Sequence, residues 1–483
     1  MIRNFQLIKP AVRLFGLWLV VAALSGCKKY LEVPLPVNSI SGASVFQNDN
    51  TAAGALNAVY AQLYNQGTFD GTGVGFYTGM YGDELKNQTT LPLWLTLYGD
   101  AVSSTDALTN FWTTFYKDLY AVNLAVEGLK PATSLNYQNQ WLGEAYFLRG
   151  LLYFYQTNLY GDVPLVLSSD YLSNNTLARS PQANVYQQIV SDLKQAQSLL
   201  DNNYHDGNGA VTTGRGRPNR AAATALLARA YLYTKDWKNA EAQANSLIGD
   251  AADYQLLPLS RVFGVNSTEV IWGVVPFQVQ GVSYVVKDAK LYYMPPGKTP
   301  SSIPVIATLA DSLAAAFEPG DARFSTWVGK DTVPASGSTP ATVYFYDSKY
   351  KAMGTYTTAQ ETVAMLRLAE QYLIRAEARA QQNDLTGAAT DLNAVRARAG
   401  LTPTTAGAQS DLLAAILHER RVELFLENGH RLFDLRRTGN LDAVMNVITP
   451  QKGGSWASFK AWWPIPLTDI QNDPHLTQNP GFQ

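Results

Sequence analysis

The chain has 483 residues, with 37 Lys and Arg against 39 Asp and Glu and a formal net charge of −2 at pH 7. That balance leaves no basic footprint for nucleic acid, and a single cysteine excludes a disulfide framework. The 27 Tyr and 10 Trp stand against only 16% charged residues; rings with an apolar face and a polar tip suit sugar rings and peptide side chains in wet clefts, as well as core packing.

Arg3, Lys9 and Arg13 precede an uncharged run, Leu14 to Leu24, rich in Leu and Val. The run is far shorter than the ~20 residues that span a bilayer, and the layout is that of a secretory signal peptide. Leu24-Ser25-Gly26-Cys27 then resembles a bacterial lipobox, in which the leader is cut before a cysteine whose thiol carries diacylglycerol. An ordinary signal peptide with an incidental thiol is the alternative. An unpaired cysteine is easier to explain if its sulfur is already used. Residues 1–26 are therefore expected to be a lipoprotein signal peptide and Cys27 the lipid attachment. Cleavage would remove three positive charges and no acids, taking the net charge from −2 to −5. The acyl chains, at about 0.8 kcal/mol per methylene, would do the anchoring.

After an extended, proline-broken start, Ser44 is a candidate cap for a helix through Ala52 to Tyr64, with Leu56, Val59, Tyr60 and Leu63 on one face. Residues 67–106, rich in Gly, Thr, Tyr and Asp without helical periodicity, read as a long loop region. Helices are expected at 109–129 and 139–160, with a break at Gly161-Asp162-Val163-Pro164. Two more are expected at 181–200 and 219–234, around a Gly-rich loop at 206–217. An internal repeat follows. With a shift of 148, Arg220–Leu247 overlays Leu368–Val395, matching Ala228 with Ala376, Ala230 with Ala378, Asp236 with Asp384, Ala240 with Ala388 and Asn245 with Asn393. Each copy reads as helix, short turn, helix, with small residues that let the two helices approach. Such pairs resemble tetratricopeptide-type repeats and need stacked neighbours to bury their apolar faces. Leu142 to Tyr160 reads as the leading helix of a further degenerate copy, and Trp237, in the first repeat's turn, as a core residue. Residues 255–358 contain Val-Ile-Trp-Gly-Val-Val, Tyr-Val-Val and Val-Tyr-Phe-Tyr among Pro, Gly, Ser and Thr, and read as short strands and long loops. The fold class is mainly α, with long loop and short-strand excursions. The organisation is 1–26 leader, 27–218 N-terminal region with variable loops, and 219–483 C-terminal repeat region carrying the excursion 255–358.

Several motifs invite a chemical reading and are better explained structurally. His418-Glu419 lacks the second histidine that a zinc-protease helix needs, since position 422 is Val. Glu419, Glu423 and Glu427 recur every four residues near Arg420, Arg421 and Arg431, which favours ion pairs along a helix. Arg436-Arg437 reads as a helix-end packing element, the Gly71–Gly75 run as lacking the strand–helix context of a nucleotide site, and Gly214-Arg-Gly-Arg217 as a turn. No G-x-S-x-G, Walker loop or Cys/His metal set occurs, so no cofactor or metal is expected. Asp83-Glu84 is a carboxylate pair, but adjacent residues cannot oppose one another across a glycosidic bond. Ligand candidates are instead loop residues, because loops on a rigid scaffold commonly carry binding: Tyr77, Tyr81, Trp94 and Tyr98, with Asp83, Asn87 and Asp100 to accept from hydroxyls, in the first loop region, and Tyr292, Tyr293 and Trp327 in the second. Trp94 and Tyr98 lead this set. Trp272, inside an apolar run, reads as core.

The C-terminal third carries the most specific pattern. Met365-Leu-Arg-Leu-Ala-Glu-Gln-Tyr-Leu-Ile-Arg-Ala-Glu-Ala-Arg is followed by Asp391-Leu-Asn-Ala-Val-Arg-Ala-Arg-Ala-Gly. His418-Glu-Arg-Arg-Val-Glu-Leu-Phe-Leu-Glu-Asn-Gly-His-Arg-Leu-Phe-Asp-Leu-Arg-Arg-Thr-Gly439 comes next, then Trp463-Pro-Ile-Pro-Leu and Leu476-Thr-Gln-Asn-Pro-Gly-Phe482. With the lipobox and Cys-Lys-Lys-Tyr-Leu-Glu, in this order, the chain resembles the SusD/RagB family. The resemblance implies a helical fold of four tetratricopeptide-like units cradling a variable ligand face. It also implies a non-enzymatic lipoprotein on the outer face of a Gram-negative outer membrane. Such a protein would capture oligosaccharides, or in some members peptides, for a SusC-like TonB-dependent barrel. Lys28 and Lys29 stand where acidic residues often mark surface export; lysine starts also occur in the family, so surface exposure remains the expectation. A peptide-capturing RagB-like protein, or a tetratricopeptide scaffold of outer-membrane machinery, is the alternative.

Overall fold

Asn48 opens α1 (Asp49–Asn65), its side chain accepting from the Thr51 N–H and so satisfying one of the four free N–H groups of a helix start. The structure, a computed structural model, describes residues 45–106, 109–277, 284–303, 305–338 and 340–482; Ser44, Cys27 and the leader lie outside them. Leu56, Val59 and Leu63 are buried along α1 as their spacing predicts. Phe46–Gln483 forms one compact unit.

The region 67–106 is not one long loop. It holds α2 (Val74–Tyr81), β1 (Leu85–Asn87) and α3 (Pro92–Tyr98). Every residue of α2 is buried, so the helix has no polar face and shows no period in its sequence. Next come α4 (Thr109–Leu129), α5 (Gln138–Tyr160) and α6 (Gln182–Leu199), close to the expected bounds. Gly161 ends α5 at φ +75°, a left-handed turn that glycine takes without steric cost.

The repeat is real and extends to backbone detail. α7 (Arg220–Tyr233) and α8 (Trp237–Ile248) form the first copy, with Asp236 capping α8 through the Asn239 N–H. The chain then runs through β2 (Val270–Val274), β3 (Ala307–Leu309), α9 (Ala322–Trp327), β4 (Val328–Val333), β5 (Thr342–Asp347) and β6 (Val363–Arg367). The second copy, α10 (Leu368–Gln381) and α11 (Leu385–Arg398), is capped by Asp384 through the Gly387 N–H. The residue before each capping Asp is left-handed, Lys235 at φ 61° and Asn383 at φ 66°. Ala228, Ala230, Ala240, Ala376, Ala378 and Ala388 are all fully buried, which lets the helix pairs close on one another. α12 (Gln409–Glu423), α13 (His430–Arg437) and α14 (Leu441–Gln451) complete the helices used below. Successive helices stack: α4 on α5, α5 on α6, α6 on α7, α8 on α10 and α10 on α12. The 218/219 division thus falls between two helices that pack together. Trp237 is half-buried rather than core.

Within 255–358, β2 pairs antiparallel with β6 and β4 with β5. Trp272 is buried in β2 against Phe147, ring centroids 4.9 Å apart, and its Nε1 donates to the Gly216 carbonyl. Tyr284-Val-Val is not a strand.

Glu419 and Glu423 of α12, and Glu427 just beyond its end, do form ion pairs, but not along the helix. Arg323 of α9 reaches Glu419 at 2.6 Å and Glu423 at 2.9 Å. Arg367 of β6 reaches Glu423 at 2.6 Å and Glu427 at 2.7 Å, and Lys349 reaches Glu427 at 2.5 Å. All of these groups are buried. The cations arrive from other elements: Arg323, Lys349 and Arg367 from 56–100 residues away, and Arg396 and Arg398 of α11, which also pair with Glu419 and Glu423, from 23 and 25 residues away. Arg436 stacks on Trp462 at 4.0 Å and Arg437 pairs with Glu377, both structural roles. No helix among the described residues is long and apolar enough to cross a membrane.

Candidate functional site

The two loop regions, more than two hundred residues apart in sequence, are joined by backbone pairing. β1 and β3 run antiparallel, with Leu85 opposite Leu309, Lys86 opposite Thr308 and Asn87 opposite Ala307. The ribbon continues one step further, as the Gln88 N–H donates to the Ile306 carbonyl and the Gln88 amide to Thr308 Oγ1. α3 packs beside β1, and β3 lies beside β5, which pairs with β4. One continuous face therefore runs α3, β1, β3, β5, β4.

Seven of the ten expected ligand residues, Tyr77, Tyr81, Asp83, Trp94, Asp100, Tyr292 and Trp327, are buried. This corrects their expected exposure. Tyr81 donates to the Lys460 carbonyl at 2.6 Å, and Trp327 Nε1 donates to the Leu259 carbonyl at 3.0 Å while Lys349 sits 5.1 Å over its ring. Phe76 lies between Trp94 and Tyr292, with centroid distances of 5.2 and 6.1 Å, and Tyr77 meets Trp94 at 5.4 Å. These rings form the packed floor that joins the two loop regions. A sequence rich in turn residues gave no sign of that floor, because α2 is short, holds Gly75 and Gly79, and has no polar face.

The expected carboxylates are engaged from within. Asp83 accepts from Arg431 Nε at 2.9 Å and from Arg421 at 2.9 Å. Burial opposes its charge, but these two guanidiniums outweigh burial and hold its carboxyl below the usual range. Burial pushes Glu84 up to about 7, although its Oε1 accepts from the Leu426 N–H. Asp100 is pushed up to about 6 by burial, against Lys452, and accepts from Thr449 Oγ1 at 2.6 Å. None of the three presents a free carboxylate to a ligand.

Asn87, Tyr98 and Tyr293 are half-buried and reach the surface. Asn87 is tied into an Asx turn by the Thr89 N–H. Lys452 Nζ lies 5.1 Å from the centre of the Tyr98 ring. Tyr293 meets Tyr346 edge to face at 6.0 Å. Tyr346 was not among the expected residues. Strand alternation places it and Tyr344 opposite Phe345, which turns inward onto Phe324 at 5.4 Å; the Val-Tyr-Phe-Tyr run carried that signal. Tyr346 lies over Gly329, where a Cβ would meet the ring at 2.2 Å, so glycine is required for the ring to lie flat on β4. The hydroxyls of Tyr98, Tyr293 and Tyr346 have no hydrogen-bond partner among the described residues. Leu91 and Leu95 on the rim of α3 are 56% and 49% exposed. The face thus offers flat rings with free hydroxyls above a rigid aromatic floor.

Comparison with known proteins bears on both halves of the chain. The sequence model described as SusD family matches residues 327–482, and the one described as "Starch-binding associating with outer membrane" matches residues 50–232. The chain belongs to the SusD/RagB family. A SusD-like protein of Formosa agariphila is 24% identical to it over 96% of this chain and 97% of the relative. The starch-binding protein SusD of Bacteroides thetaiotaomicron is 26% identical over 74% of this chain and 75% of the relative. Among solved structures, a SusD superfamily protein of Bacteroides vulgatus has a TM-score of 0.76 at 22% identity, covering 90% of this chain and all of that one. A laminarin-binding SusD-like protein has a TM-score of 0.75 at 23% identity, again covering 90% and all. The helical stack of this SusD/RagB protein is therefore the family fold, and the α3–β5 face lies partly between the two matched segments.

Proposed function

We propose that this protein captures oligosaccharides on the α3–β5 face without cleaving them. The observation that carries the reading is the face itself. Tyr98, Tyr293 and Tyr346 present partly open rings whose hydroxyls have no partner among the described residues, and Asp83, Glu84 and Asp100 are held by internal cations, a backbone N–H and Thr449. A pyranose stacks its C–H face on such rings, while ring hydroxyls and Asn87 bond the sugar's edge. Starch and laminarin, the glucans named for two relatives, are the first ligands to test. The family description and the leader support attachment to the outer membrane through lipidated Cys27 on the cell surface. The resemblance to SusD/RagB proteins supports hand-over to a SusC-like TonB-dependent barrel.

Calorimetric titration with starch oligosaccharides and laminarin tests the reading. Removing one stacking ring costs on the order of 1–2 kcal/mol, so Tyr346→Ala is expected to weaken binding about tenfold. The melting temperature is expected to stay nearly unchanged, because the ring is half-exposed. Glucan binding that is intact in Tyr346→Ala and in Tyr293→Ala would remove the site from this face. Shortened products after incubation with the bound glucan would overturn the non-catalytic reading.

A further inference from the structure

The helical side of the molecule holds a second concavity, a groove of about 770 Å³ between the α7–α8 turn, α10, α12, α13 and the start of α14. Its volume is within the ~300–1,000 Å³ of ligand pockets, and it shares no lining residue with the α3–β5 face. Two features define its chemistry. The first is a surplus of positive charge. Lys235, Arg421, Arg431 and Arg437 line it, with Glu377 as the lining carboxylate. Arg437 is matched by Glu377 and Asp434. Arg421 and Arg431 share the single carboxylate of Asp83. Arg421 Nε is buried with no hydrogen-bond partner among the described residues, and Lys235 is exposed on its left-handed turn with no ion-pair partner among them. The second feature is an aliphatic wall of Leu413, Leu417, Leu435 and Val444, with Trp237 as its aromatic member.

We propose that this groove docks an extended acidic segment of a partner protein, one that carries leucine-like side chains between its carboxylates. Charge complementarity selects the sign of the occupant: two cations sharing one carboxylate, and a third with none, attract anions. The aliphatic wall selects a peptide over an anionic sugar. Sugars are held by aromatic faces and hydroxyl partners, whereas Leu and Val gain most from covering aliphatic side chains. The αα-hairpin turn that lifts Lys235 to the rim also places Trp237 there. Its half-exposure, against the buried position expected from its sequence, follows from lining this groove.

Fluorescence anisotropy with a labelled, end-capped octapeptide of Glu, Asp and Leu tests the proposal on the folded protein. The acidic peptide is expected to bind, to weaken as salt rises from 0.05 to 0.5 M (roughly 14 to 4 Å of screening length), and to fail when its acids are replaced by Lys. Arg421→Gln is expected to weaken it about tenfold, the loss of a charge-assisted contact. Lys235→Asn, an exposed change to a residue that tolerates the left-handed turn, is expected to weaken it severalfold and decides the matter if Arg421→Gln folds poorly. Tyr346→Ala is expected to leave it unchanged, which separates this groove from the glucan face. No binding at millimolar peptide, equal binding of the Lys peptide, or no effect of Lys235→Asn would overturn the proposal. Displacement of the peptide by oligogalacturonate that binds more tightly would overturn it in favour of an anionic glycan.

Discussion

Asp118 shows how much a single side chain can be made to bear. It is fully buried on α4, and neither carboxylate oxygen has a hydrogen-bond partner among the described residues. Burial raises its pKa to about 7, with Lys117 opposing weakly. In the unfolded chain the group ionises near the ordinary carboxylate value of about 4. Between these values the folded state holds a proton that the unfolded state has released, so this group lowers stability as pH rises from about 4 to 7. Asp118→Asn is therefore expected to raise the melting temperature at pH 8, with a gain that shrinks as pH falls towards 4. A gain that is the same at pH 5 and pH 8 would show that no proton is exchanged here. Asp83 has the opposite sign. Its carboxyl is lowered by Arg431 and Arg421, so its contribution is present above the ordinary carboxylate range and lost as pH falls below it.

Among the elements, the two helical hairpins share one turn design: a left-handed residue, then a capping Asp. Removing such a cap costs ~1 kcal/mol. Asp236→Ala and Asp384→Ala are each expected to lose about that much in urea unfolding, and the losses should add because the two turns share no partner. A cost in one hairpin alone would mean that the repeat is one of shape and not of energetics. The matched Asp at each turn was legible in the sequence, as were the long helices, including α5 and α7, which are buried almost throughout. The α3–β5 face was legible only in part. α2 is only eight residues long, carries two glycines and has no exposed side, and the three-residue strands β1 and β3 are too short to show alternation. What showed through was Val-Tyr-Phe-Tyr, where the period of two separates Tyr346 from Phe345. The ion pairs of α12 showed their spacing but not their partners, because arginines 23–100 residues away leave no mark on the local pattern.

At the level of the whole molecule, buried charge fastens the excursion, through Arg323 and Lys349, and β6, through Arg367, to the helical stack. Arg367 holds Glu423 and Glu427, and Arg323 holds Glu419 and Glu423, all out of water. Truncating one partner of such a set leaves charges buried and uncompensated, at about 3–5 kcal/mol. Arg367→Ala is expected to lower the melting temperature steeply, whereas Arg375→Ala, whose side chain is partly exposed, should lower it less. Equal losses would mean that burial of the network adds nothing. The β1–β3 ribbon has a temporal consequence. The helical hairpins join near neighbours in sequence and can close early, but Leu85 and Leu309 meet only after a loop of more than two hundred residues has been closed. The α3–β5 face is then the last part of the chain to become native, and in pulsed hydrogen exchange the amides of Lys86 and Thr308 should gain protection after those of α7 and α10.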